Sequence, residues 1–94
     1  DDARETIEDK ITKYADFWGV SRKTMSWIVA CESGGNERAV GDHGQSRGLV
    51  QINRPAHPNI TDEQAFDVDF SLSFLAENLA KGNGRLWTCF RDIL

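Results

Sequence analysis

Hydrophobic residues recur at helical spacing over three stretches of this chain. Ile7, Ile11, Tyr14, Ala15 and Trp18 step by three and four, which predicts an amphipathic helix over about residues 3–17, stopped by Gly19. Ser21 then caps a second helix, in which Met25, Ile28 and Val29 form the apolar stripe and the next step along it lands on Glu32. Thr61-Asp62-Glu63-Gln64 has the form of a capping box and opens a third helix. Its stripe is Val68, Leu72, Leu75 and Leu79, widened by Phe66, Phe70 and Phe74, so this helix is expected to be buried over more than half its circumference and to run through the middle of the fold. Asn83-Gly84 ends it, and residues 85–92 add one short helix that brings Trp87 and Cys89 back to the body.

Between the second and third helices the pattern changes. Residues 33–47 are polar, with glycine at 34, 35, 41 and 44, which reads as an irregular loop or a short hairpin turning at Gly41-Asp42-His43-Gly44. Residues 48–53 are too short to assign to strand or helix, and Pro55 and Pro58 exclude regular structure just after them. The chain therefore reads as a mainly α fold of about three main helices plus short ones around a Gly-rich loop or hairpin. No internal repeat and no low-complexity stretch interrupts it.

Composition narrows the function classes. The 94 residues fit a single domain spanning 1–94, with room for one small core and one site. A hydrophobic fraction of 39% with three Trp and five Phe argues for a folded globule against a disordered chain. The net charge of -4 and the scattered basic residues argue against a nucleic-acid partner. No stretch approaches the ~20 apolar residues of a membrane span. The first residues do not resemble a signal peptide, and the missing initial Met suits a processed mature protein or a domain cut from a longer one.

Cys31 and Cys89 each have a tryptophan nearby, Trp27 and Trp87, and one disulfide tying the C-terminal segment to the second helix is the preferred reading, by analogy with small secreted domains. Two free, buried thiols are the alternative. With His43 and His57 the cysteines offer no Cys-x-x-Cys or His-x-x-x-His spacing, so no zinc site or other metal is expected. Trp87 could stack on a sugar face, but packing around the disulfide is favoured, and the two histidines read as solvent-facing loop residues.

Glu32 carries the chemistry. A carboxylate on an apolar stripe points inward, loses solvation of its charged form, and can stay protonated near neutral pH as a general acid. The alternative is a helix-end residue that swings out over Ser33-Gly34-Gly35 into water.

These segments together resemble a known family. Ile11-x-x-Tyr14-Ala15, Gly19-Val20, Ile28-Val29-x-x-Glu32-Ser33-Gly34-Gly35-Asn36 and Gly48-Leu49-Val50-Gln51-Ile52 resemble the lysozyme-like superfamily, specifically the lytic transglycosylase SLT domain, over most of the chain. The specific element is Glu-Ser-Gly followed, sixteen residues after the Glu, by Gly-Leu-x-Gln. The resemblance implies a lysozyme-like fold, peptidoglycan glycan strands as substrate, and cleavage of the β-1,4 bond between N-acetylmuramic acid and N-acetylglucosamine. It places the catalytic acid on Glu32 and a glycan contact on Gln51. That bond needs a proton on the leaving oxygen and stabilisation of an oxocarbenium-like centre. In the transglycosylase route the same Glu then acts as base toward the muramic C6 hydroxyl, with no cofactor.

Gly41-Asp42-x-Gly44-x-x-x-Gly48-Leu49-x-Gln51-Ile52-Asn53 also resembles goose-type lysozyme, which implies that Asp42 helps to activate a water in an inverting hydrolysis. Such a pair stands about 6.5 to 9.5 Å apart. Alternatively Asp42 merely serves a Gly-flanked turn. The chain departs from these patterns in three places. Asn53 stands where the goose-type pattern has a second Asp. Ser46 stands where c-type lysozymes have their second carboxylate, so a retaining mechanism is not supported. Asn83 stands for the Asn of a Tyr-Asn pair whose Tyr is missing. The expected site is thus Glu32 and Asp42 as catalytic groups, with Ser33, Gln51, Asn53 and Asn83 toward substrate. The expected setting is extracytoplasmic or secreted, as a monomer without a membrane span. The rival class is a cell-wall glycan-binding module without turnover.

Overall fold

The computed structural model describes residues 5–91. In chain order it holds α1 (Ile7–Trp18), α2 (Arg22–Ser33), β1 (Val40–Gly41), β2 (Ser46–Arg47), β3 (Ile52–Asn53), α3 (Asp62–Phe66), α4 (Val68–Ala80) and α5 (Thr88–Arg91), with single 3-10 turns at Asp42–Gly44 and Gly84–Leu86. The molecule is mainly helical, and α1, α2 and α4 are its three long elements.

Local sequence explains most of the boundaries. Thr6 and Asp9 form a capping box that starts α1, so the first residues expected in this helix precede it, and residues 3 and 4 lie outside the described part. Ser21 accepts a hydrogen bond from the Thr24 N–H and starts α2. Gly34, left-handed at φ 64°, closes α2 by donating its N–H to the Ala30 carbonyl. Glu32 is therefore held in the last turn of a regular helix.

The Gly-rich middle is more ordered than a loop. β1, β2 and β3 form a small antiparallel sheet in that order, with Val40 opposite Arg47, Arg47 opposite Ile52, and one row across all three strands made by Gly41, Ser46 and Asn53. Each strand is only two residues long, too short for alternation to register in the sequence. Gly48 joins β2 to a turn at φ 85°, and a Cβ there would fall inside the carbonyl oxygen of Ala65. Only glycine lets this turn lie against α3.

The third predicted helix is two helices. Asp67 ends α3 and starts α4 with an extended ψ of 126°, its carboxylate accepting the Phe70 N–H at 2.7 Å. The Ala65 carbonyl freed by the break accepts the buried Ser71 hydroxyl at 2.8 Å. A capping Asp interrupts the apolar period that otherwise runs through it.

One continuous core joins these elements. Ile11 and Ala15 of α1, Met25, Ile28 and Val29 of α2, Leu49, Val50 and Ile52 of the turn and β3, and Leu72, Leu75 and Ala76 of α4 are all buried in it. Full burial of each large side chain contributes about 1.5–3 kcal/mol. Trp87 also belongs to this core, its ring against Phe74 and its Nε1 donating to the Val50 carbonyl at 2.8 Å. Buried at 4% exposure, it offers no face to a sugar. Trp27 is the tryptophan bonded to the disulfide's residue, its Nε1 donating to the Cys89 carbonyl at 3.1 Å.

Candidate active site

Cys31 and Cys89 form a disulfide, which ties α5 to the last turn of α2 beside Glu32. Trp27, one turn earlier on α2, binds the same Cys89 peptide through its carbonyl. The main-chain N–H of Cys89 faces the Glu32 carboxylate. Cys89 is thus held through its sulfur, its carbonyl and its N–H, the last two on successive peptide units.

Glu32 is half-buried, neither enclosed nor swung free into solvent. Burial pushes its carboxyl above the ordinary carboxylate range, the Cys89 N–H opposes this by favouring the charged form, and the negative charge of Asp42 adds to the rise. Asp42, from the turn between β1 and β2, is the charged group whose negative charge is felt at Glu32.

Asp42 is exposed and sits in the left-handed region at φ 52°, followed by His43 at φ 58°. Its backbone carbonyl accepts the Gln45 N–H, which closes the turn. Its carboxylate accepts the hydroxyl of Ser46 at 2.5 Å. Ser46 is 2% exposed and in turn accepts an N–H of the Asn53 side chain at 3.4 Å. The Asn53 Oδ1 accepts the Ala56 N–H at 3.1 Å. Asn53 therefore lies in a chain of polar groups leading to Asp42.

The other expected contacts are placed as follows. Ser33 donates to the Val29 carbonyl and accepts the Gly35 N–H, a helix-ending arrangement next to Glu32. Gln51 donates its Nε2 to the carbonyls of Ala39 and Gly48, bracing the sheet from within, and its Oε1 lies so close to Gly41 that a Cβ there would meet it at 2.5 Å. Asn83 is exposed in the turn after α4, donating to Asn78 at 3.2 Å, and no hydrogen bond among the described residues links it to the Glu32 group. His43 is exposed, whereas His57 is half-buried with its ring edge-on to Phe74.

Among the described residues, clefts on the surface include one of about 500 Å³ lined by residues including Glu37, Arg38, Phe66 and Phe70, and one of about 270 Å³ between Val20, Leu79 and Phe90. Glu32 lines neither. Among the described residues no three His, Cys, Asp or Glu side chains gather in a way that could hold a metal ion, and no helix is long and apolar enough to cross a membrane.

Arg47 escaped the sequence reading. Its guanidinium, 2% exposed, pairs with Asp62 at 2.5 Å and with the Ile60 carbonyl, and Arg54 joins the same carboxylate at 2.9 Å. Asp62 is held below the ordinary carboxylate range, first by the hydrogen bond from Arg47. This pins the start of α3 to β2, the strand that carries Ser46. Comparisons with family models, with curated proteins and with solved structures return no match for this chain.

Proposed function

We propose that this chain is a peptidoglycan-cleaving glycosidase of lysozyme-like type, cutting the β-1,4 bond between N-acetylmuramic acid and N-acetylglucosamine, with Glu32 as general acid. The observation that carries the reading is a half-buried carboxyl with a raised pKa, fixed at a helix end and faced by a second carboxylate. Protonated Glu32 donates its proton to the glycosidic oxygen as the bond to the muramic C1 breaks. Asp42 then takes one of two parts. Either its charge keeps Glu32 protonated, and Glu32 returns as base toward the C6 hydroxyl, or Asp42 directs a water to C1.

The test is the clearing of a cell-wall suspension by the wild type and by Glu32→Gln. Clearing that survives the substitution would sink the assignment. Mass spectrometry of the released fragments then separates the two parts of Asp42: anhydro ends mark intramolecular attack, and reducing ends lost in Asp42→Asn mark a directed water.

One observation favours a rival reading, a glycan-binding module without turnover: Glu32 stands outside both clefts. A polymer strand, however, lies along a surface and does not need an enclosed pocket. Binding of glycan strands by E32Q without any clearing by the wild type is the outcome that selects the module.

A further inference from the structure

We propose that Ser46 is the positioning residue of this site: buried in β2, it fixes the carboxylate of Asp42 toward Glu32 through a one-way chain of hydrogen bonds that begins at Asn53. The inference rests on the reading of Glu32 as the acid, and it assigns to Ser46 and Asn53 parts that neither motif nor spacing gives them.

Direction in the chain follows from counting hydrogens. Asn53 Oδ1 is taken by the Ala56 N–H at 3.1 Å, so the Asn53 amide must turn its NH2 group toward Ser46. The hydroxyl of Ser46 owns one hydrogen. With its oxygen accepting from Asn53, that hydrogen goes to Asp42 Oδ2 at 2.5 Å. Asn53 and Ser46 are cross-strand neighbours, and Gly41, beside Asp42, is the third member of the same row. The sheet therefore delivers all three links at fixed spacing, although each strand is two residues long.

The arrangement solves a local difficulty. Asp42 is exposed, in a left-handed conformation, on a Gly-flanked turn, where a free carboxylate samples several rotamers in water. A hydroxyl anchored in the interior, 2% exposed, selects one of them. A neutral donor does this without neutralising the charge, whereas a lysine or arginine in its place would cancel the field that Asp42 exerts on Glu32. The groups that act on the Glu32 carboxyl are the charge of Asp42 from the β1–β2 turn and the Cys89 N–H from α5. Only the first depends on Ser46.

The experiment follows the titration of the Glu32 side-chain carboxyl by carbon-detected NMR in the intact chain. Wild type, Asp42→Asn, Ser46→Ala and the S46A/D42N double variant are compared, together with clearing of a cell-wall suspension. Asp42→Asn should move the Glu32 midpoint toward acid, Ser46→Ala should move it the same way, and the double variant should move it no further than Asp42→Asn alone. Clearing should fall about tenfold in Ser46→Ala, in line with the cost of misplacing a reacting group, should recover in Ser46→Thr, and should show no additional loss in the D42N background.

A midpoint untouched by Ser46→Ala, or effects that simply add in the double variant, overturns the proposal, since a merely structural serine acts independently of Asp42. If Ser46→Ala does not fold, Asn53→Ala breaks the chain one link earlier and is judged by the same criteria. If the wild type clears nothing, the glycosidase reading fails by itself, while the titration still decides what Ser46 does.

Discussion

Three influences set the acidity of Glu32: burial, a peptide N–H from Cys89, and the charge of Asp42. Burial dominates, so its folded pKa lies above its unfolded one, and the sign follows from that. Ionisation is easier in the unfolded chain, so the stability associated with this group is complete at low pH and is lost as pH rises through the folded pKa. Glu32→Gln should therefore raise the melting temperature at pH 7 and leave it unchanged at pH 3, while abolishing clearing of cell walls; calorimetry at the two pH values checks this. The same sign predicts that wild-type turnover falls as pH rises past the Glu32 midpoint, because the acid must be protonated. Gly48 sets a limit of another kind. Gly48→Ala forces a left-handed alanine against the Ala65 carbonyl and should cost about 3 kcal/mol or more in urea unfolding. The helical period singles out Glu32 in the sequence, while the glycines after it left its direction open, and in the structure it is half-buried. Ser46 was not legible, since its partners lie at 42 and 53 in a segment without any period.

Among the elements, α1, α2 and α4 follow directly from three-and-four spacing, and their capping residues Thr6, Ser21 and Thr61 start them or their neighbours as polar side chains should. The break at Asp67 was hidden because the apolar period continues across it, although an Asp ahead of Val68-Asp69-Phe70 is itself a cap signal. Asp67→Ala should cost about 1 kcal/mol through the lost cap, and denaturant titration would detect it. The contact between α1 and α4 is tied by Asp69, which accepts from Lys10 at 3.0 Å and from Tyr14 at 2.9 Å. The hydrogen bond from Lys10 leads in holding Asp69 below the ordinary carboxylate range, and burial leads in pushing Tyr14 up to about 12. A depressed carboxyl contributes stability above its unfolded pKa and loses it as pH falls through the folded one. Asp69→Asn should accordingly cost about 1 kcal/mol at neutral pH, discounted for exposure, and its stability curve should run flatter than wild type below the ordinary carboxylate range. The β1–β2 pair matches the short hairpin that the turn at residues 41–44 offered as one reading, but β3 stayed illegible because strands of two residues are fixed by tertiary contacts: Arg47 reaching Asp62, and Gly48 lying on Ala65.

For the whole molecule, a radius of gyration of 12.4 Å is what a chain of this length reaches when packed as one body, about 12 Å. The disulfide closes a separation of 58 residues between the second helix and the last. Constraint of the unfolded chain over such a loop contributes about 4 kcal/mol. Replacing both cysteines by serine should remove an amount of this order in denaturant unfolding. That pairing could be anticipated from composition, whereas the roles of the tryptophans could not: Trp27 and Trp87 both lie close to a cysteine in sequence, and only the docking of α5 decides that Trp27 bonds to Cys89 while Trp87 enters the core.

Cys89 gathers three links in one residue. Its sulfur is bonded to Cys31, its carbonyl to Trp27, and its N–H faces Glu32. A small thiol that reduced the bond would remove the one covalent link among them, leaving the Trp27 indole, the neighbouring Trp87–Val50 hydrogen bond and the packing of a four-residue helix. The covalent brace of the fold and the polar surroundings of Glu32 thus meet in one residue of the last short helix.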